Sequence, residues 1–226
     1  MKIRTNVVKL LVAAGALALA GSAAAQSKGQ FTVSLGANQI KPDVTSGAIS
    51  APALPNSIGD VGKDTQPVAV ITYGLTDNIS IETAVGTPYK HKIYGAGAIA
   101  AGGELGSVEA LPAVALLQYR FFEPNARFRP YVGLGVTYAM FQKETGSFRM
   151  TALTNPGGGV ATTFKIDDKL TVSGQIGAQF NVNEKWFLNA SYIKTKLRTD
   201  VHFSTNQTQH MKLDPDSFIL SVGYKF

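Results

Sequence analysis

The feature that most restricts the fold of this chain is a repeat of two residues. From Leu170 to Val182 the even positions are Leu170, Val172, Gly174, Ile176, Ala178, Phe180 and Val182, and the odd ones are Thr171, Ser173, Gln175, Gly177, Gln179 and Asn181. Successive side chains of an extended strand point to opposite faces, so this segment has one apolar and one polar face. Phe128–Met140 repeats the pattern, as do the segments around Phe31–Ala37 and Phe218–Phe226. Eight such segments are predicted, at about 29–40, 66–74, 78–92, 107–121, 128–142, 169–182, 186–201 and 212–226. Most exceed the roughly five or six residues of ordinary strands and suit tilted membrane strands of about 9–11 residues. After the N-terminal leader, no stretch offers the ~18 unbroken apolar residues of a membrane helix. A membrane location therefore requires a closed barrel.

The leader is predicted at residues 1–25: Lys2, Arg4 and Lys9, an apolar core from Leu10 to Ala20, then Ala23-Ala24-Ala25 before Gln26. This is the pattern of a cleaved signal peptide, which leaves 26–226 as one barrel domain. The connections alternate in length. Those at 75–77, 123–127 and 183–185 are short, and those at 41–65, 93–106, 143–168 and 202–211 are long. Short turns at one end and long loops at the other is the layout of an outer-membrane barrel with periplasmic turns. A soluble secreted sandwich or lipocalin-like barrel would carry its polar faces outward, but these are Gly, Ser, Thr, Gln and Asn with few charges. Charged residues are only 16% of the chain, against about 25% in soluble domains. Aromatic residues cluster at both strand ends, among them Trp186, Phe187 and Tyr224 toward the short turns and Tyr89, Tyr138 and Phe141 toward the long loops, as at two membrane interfaces. The expected fold is all-β: an eight-stranded antiparallel up-and-down transmembrane β-barrel in the bacterial outer membrane, in contact with its lipid and lipopolysaccharide.

Composition excludes several functions. There is no Cys, hence no disulfide scaffold, thiolate metal site or Cys nucleophile. Of 21 Lys and Arg, three lie in the leader, leaving 18 against 15 Asp and Glu, too mild an excess to expect a nucleic-acid partner. No phosphate-loop, dinucleotide or HExxH motif occurs. His202 and Ser204 share a strand face with Asp200 nearby, a pair like that of some outer-membrane lipid A deacylases. It lacks a visible oxyanion site. No enzymatic activity, catalytic residue, cofactor or metal is expected.

Several stretches in order resemble the OmpW family of small outer-membrane barrels, which includes the alkane-uptake porins. They are Thr76-Asp77-Asn78-Ile79, Thr87-Pro88-Tyr89-Lys90-His91-Lys92-Ile93, Leu111-Pro112 leading to Gln118-Tyr119-Arg120-Phe121, Phe128–Tyr138, Leu213-Asp214-Pro215 and the ending Gly223-Tyr224-Lys225-Phe226. The resemblance covers 26–226. One departure is Ala113, where the family often has a second Pro. The resemblance implies an eight-stranded barrel that passes small hydrophobic molecules inward. The terminal Tyr224-Lys225-Phe226 is shared by many outer-membrane proteins and implies recognition of Phe226 by the barrel-assembly machinery.

The strand phase places Glu82, Gln118, Arg120, Arg129 and Gln175 inside, near the periplasmic end. Charges in a narrow interior must pair, so Glu82, Arg120 and Arg129 are expected to form a periplasmic plug, acting either as a stabiliser or as a gate. Ala110, Pro112, Val114 and Leu116 put an apolar face above it, suited to a hydrophobic ligand. A solute that cannot pass the plug must leave sideways. Pro88 and Pro112 each lack a ladder donor and lie in strands joined by one hairpin, so they mark either a lateral exit or simply the end of regular pairing. In the seventh segment the outward face changes from Trp186, Leu188 and Tyr192 to Lys194, Lys196 and Arg198. Either the strand rises out of the membrane toward lipopolysaccharide phosphates or it bulges near Tyr192. The expected activity is a passive channel for small hydrophobic molecules; the alternative is a structural or receptor barrel acting through its outer loops.

Overall fold

The computed structural model describes residues 28–53, 55–155, 157 and 159–226; the expected leader and its cleavage point lie outside them. In chain order the elements are β1 (Phe31–Lys41), β2 (Thr45–Ser46), β3 (Ser57–Val61), β4 (Asp64–Gly74), β5 (Ile79–Gly86), β6 (Tyr89–Gly97) and β7 (Glu104–Arg120). There follow β8 (Phe128–Gly146), α1 (Phe148–Thr154), β9 (Phe164–Ile166), β10 (Lys169–Asn181), β11 (Trp186–Thr195), β12 (Arg198–Phe203), β13 (Thr208–Lys212) and β14 (Asp216–Lys225). Each strand of the wall pairs with its antiparallel neighbour, in the order β1, β4, β5 continued by β6, β7, β8, β10, β11 and β14. β14 returns to β1 from Thr32↔Lys225 to Lys41↔Asp216, closing an eight-stranded barrel with no free edge.

The alternation decides which way each residue faces. Leu35, Leu134 and Leu170 are 66%, 70% and 69% exposed, an arrangement that only a hydrocarbon surround makes favourable. No helix among the described residues is long and apolar enough to cross a membrane. The turns opposite the long loops are built by short polar side chains. Thr76 Oγ1 accepts from the Asn78 and Ile79 amides at 3.3 and 2.9 Å. Asn183 Oδ1 accepts from the Lys185 and Trp186 amides at 2.9 and 2.8 Å.

Three expectations need correction. The segment 186–201 divides into β11 and β12, and the segment 212–226 starts its wall strand only at Asp216, after Pro215, which has no ladder donor. The long loops carry structure of their own: β2, β13, β12 and β9 form a second four-stranded sheet. Its buried face, including Phe164, Val201, Phe203 and Met211, joins Met150 of α1 in one apolar cluster over the barrel mouth. Finally, Tyr89, Phe141 and Phe187 are buried within rather than set in the outer belts. Phe187 fits because Gly223 vacates its place: a Cβ there would lie 2.1 Å from the ring.

At β11 the inward and outward phase is unbroken, and its registers to β10 and β14 run regularly past Tyr192. The strand therefore leaves the membrane without a bulge there. Its inner face becomes apolar because Ile193 packs in the cluster just above the polar lower lumen, and Leu197, past the end of the strand, packs in the outer one. Lys194 is paired with Asp216 at 2.8 Å and Asp43 at 3.5 Å.

Candidate functional site

The lumen has two storeys. In the lower one the wall supplies amides, hydroxyls and charges at alternate positions. Gln175 Nε2 donates to Glu82 Oε1 at 2.8 Å, and Gln118 Nε2 donates to Gln175 Oε1 at 2.7 Å. Arg120 Nη2 donates to Gln118 Oε1 at 2.8 Å, its Nε to Ser80 Oγ at 2.9 Å and its Nη1 to Gln179 Oε1 at 2.9 Å. The guanidinium stacks 4.7 Å from the centroid of the Tyr131 ring. Tyr131 reaches across because Gly177 has no side chain where the phenol lies, and its hydroxyl donates to Asn189 Oδ1 at 2.8 Å.

The structure thus brings Glu82 and Arg120 into one network, in which Gln175 and Gln118 relay hydrogen bonds between them. Arg129, fully buried, donates Nη2 to the Asp77 carbonyl at 2.7 Å at the short-turn end. The relay residues Gln118 and Gln175 were visible from strand phase as inward-facing; Gln179 and Tyr131 carry the same phase signal and were missed. A mesh of this kind fixes a low-dielectric interior because every polar group in it is costly to strand.

Above the plug, Val68, Val70, Leu116, Ile193 and Ile219 pack into an apolar floor. Over it lies a partly open apolar cavity that runs up beneath the outer sheet. Of the four residues read from sequence as a lumen face, Ala110, Pro112 and Val114 line it and Leu116 is buried in the floor beneath. The cavity also takes in Met150, Phe164, Val201, Phe203, Met211 and Leu213. Sequence phase did not supply these, because they come from the region read as loops.

Pro88 and Pro112 fall at one place in the wall. Pairing of β5 with β7 ends at Ala84↔Val114, and pairing of β6 with β7 begins at Tyr89↔Ala110. Between them Val85, Gly86, Thr87 and Pro88 stand opposite Leu111, Pro112 and Ala113 without ladder pairing. The outer flanks are paired at Val85↔Ala69 and Gly86↔Val68 on one side and from Leu111↔Met140 to Ala113↔Tyr138 on the other. At this seam pairing is thus missing on the β7 side of Val85–Pro88 and, past Gly86↔Val68, on the β4 side of Thr87 and Pro88. Val85, Gly86 and Thr87 are consecutive, as are Leu111 and Pro112, yet all five line the cavity. Consecutive strand residues face opposite ways, so the cavity extends into the wall here. Tyr138, opposite Ala113, is 41% exposed and marks the outer membrane interface.

His91 lies on the extracellular side of that level, where its Nδ1 is 2.7 Å from the Gly62 carbonyl. Burial holds its imidazole below the ordinary range, against opposing pulls from Gly62 and Asp64. The residues weighed for hydrolysis are engaged elsewhere. Asp200 accepts from His210 at 2.8 Å, and Ser204 Oγ accepts from the Thr163 amide at 3.0 Å.

The OmpW family model matches residues 27–226. Outer membrane protein W of Salmonella typhimurium is 33% identical over 223 residues, 96% of this chain and 99% of that protein. Outer membrane protein AlkL of Ectopseudomonas oleovorans is 30% identical over 175 residues, 77% of this chain and 70% of that protein. Among solved structures, the outer membrane protein OprG from Pseudomonas aeruginosa superposes with a TM-score of 0.79 at 26% identity, covering 89% of this chain and 97% of that one. A closed eight-stranded barrel with an apolar outer band, matched along its length by these proteins, places the chain in the Gram-negative outer membrane as a member of the OmpW family.

Proposed function

We propose that this barrel takes up small hydrophobic molecules passively, holding them in the upper chamber and releasing them through the seam into the bilayer. The observation that carries the reading is the chamber itself: an apolar cavity, floored by a hydrogen-bonded plug, whose lining runs into an interrupted wall. Eight strands enclose room for side chains or one small ligand, not an aqueous pore. An apolar solute gains by leaving water for such a chamber at roughly 25 cal/mol per Å² of apolar surface removed from water. It would lose that gain by crossing the plug, whereas a sideways step through the seam delivers it to the bilayer at the boundary marked by Tyr138, next to hydrocarbon. Both prolines lack the N–H that would close the ladder at this height.

Uptake tests the reading. Initial rates for a labelled short alkane or aromatic hydrocarbon, beside a small sugar, are compared in cells with and without the protein. The expectation is faster hydrocarbon entry, unchanged sugar entry, and slower hydrocarbon entry when Pro88→Val and Pro112→Val together restore two ladder donors. Equal rates for both solutes would remove the transport reading and favour a structural or receptor role for the outer sheet.

A further inference from the structure

We infer that the chamber carries a polar anchor for the hydroxyl group of an otherwise apolar solute, formed by the Asn38 amide and the Tyr89 phenol. The inference rests on the chamber being a binding site for hydrophobic molecules and names the class within them that it favours: aromatic and aliphatic alcohols.

Asn38 faces inward from β1 and is 6% exposed. Its Nδ2 donates to Tyr89 Oη at 2.9 Å. Its Oδ1 is buried and has no hydrogen-bond partner, and both residues line the cavity. A buried amide oxygen without a donor is rare in native proteins and calls for a reason. In the plug a few residues below, the amides of Gln118, Gln175 and Gln179 are all bonded to neighbours. The neighbouring strands place Ile219 and Gln66 opposite Asn38, and the Gln66 amide is committed elsewhere, donating to Asp64 at 2.7 Å and accepting from Thr87 at 3.0 Å.

Tyr89 Oη accepts from Asn38, so its own proton remains available. A hydroxyl set between the two accepts from Tyr89 and donates to Asn38 Oδ1, closing a ring of three hydrogen bonds. With the amide turned over, Tyr89 donates to Oδ1 and the freed Nδ2 donates to the same hydroxyl oxygen. A hydrocarbon serves neither arrangement. The apolar lining at Ile40, Val68, Val108 and Ala110 receives the rest of the solute.

The test uses the folded full-length mature chain in lipid nanodiscs, with protein-free nanodiscs as the blank and heat-modified electrophoretic mobility as the control for folding. Binding of 1-naphthol and naphthalene is read by their fluorescence. The expected result is a preference for 1-naphthol of about ten-fold, the scale of one or two net hydrogen bonds. Asn38→Leu is expected to bring the ratio close to one, and Tyr89→Phe, which keeps the ring, to reduce it. Equal affinity for both probes in the unaltered protein would overturn the inference and leave the anchor to ordered water. So would a preference that survives both substitutions. If the preference holds but neither compound enters cells faster, the uptake reading falls and the anchor stands.

Discussion

The two halves of the lumen are built from the same alternating strands and end in opposite chemistry. Below, six strands contribute to a mesh in which Glu82, Gln175, Gln118 and Arg120 are bonded in sequence. Above, the same inward positions carry Val, Ile, Ala, Leu and Met, and the wall is interrupted around Val85–Pro88. The lower half spends its polar groups on one another and closes. The upper half leaves apolar surface facing open space. Soluble proteins avoid such surface because filling it stabilises the fold, so its persistence here points to an occupant that comes and goes.

The contrast is broken most severely by Glu82→Leu, which strands the Gln175 amide and removes the anion from the network that holds the buried Arg120 guanidinium. Loss of one partner from a buried charged network costs about 3–5 kcal/mol, to be read as a lower urea midpoint in lipid. Next is Leu116→Ala in the floor, expected to cost about 2–4 kcal/mol as a buried large-to-small change. The same truncation at the chamber-lining Val114 costs less, because that residue already faces open space. Equal losses at the two sites would show that the chamber is filled in the native state.

A smaller effect is set by pH. Burial depresses the His91 value below its ordinary 6.5, so on acidification the unfolded chain takes up this proton before the folded one does. The stability tied to the neutral ring is complete above 6.5, declines as pH falls below it, and is lost once pH passes the depressed folded value. His91→Gln should flatten the dependence of the urea midpoint between neutral and mildly acidic pH. Smallest is Lys194→Ala at the outer rim, where both partners are partly exposed; a change under about 1 kcal/mol is expected.

Much of this comparison was legible in the sequence. Alternation names the inward residue at each step, so Glu82, Arg120, Arg129 and the Ala110–Leu116 face were found without coordinates. Alternation does not say which inward residues meet. Gln118 and Gln175 bond across a separation of 57 residues, and that relay needs the registers of three strands. The outer sheet was read as loop because its members are short: β2 spans two residues and β9 three. Such pieces hold as strands through tertiary packing on the chamber rather than through any local pattern. The prolines of the seam were visible, but the unequal lengths facing each other across it are a property of register alone. The aromatic belts failed at Tyr89, Phe141 and Phe187 because position near a strand end was weighed above phase.

The most direct test of a closed lower half beneath an open apolar chamber is a methyl and side-chain amide NMR titration of the folded barrel in lipid with naphthalene. The account predicts shifts at the methyl groups of Ala110, Val114, Ile193 and Met211, with the amides of Gln118 and Gln175 unmoved. Shifts confined to lipid-facing methyls such as Leu35, Leu134 and Leu170, or reaching the plug amides, would contradict it.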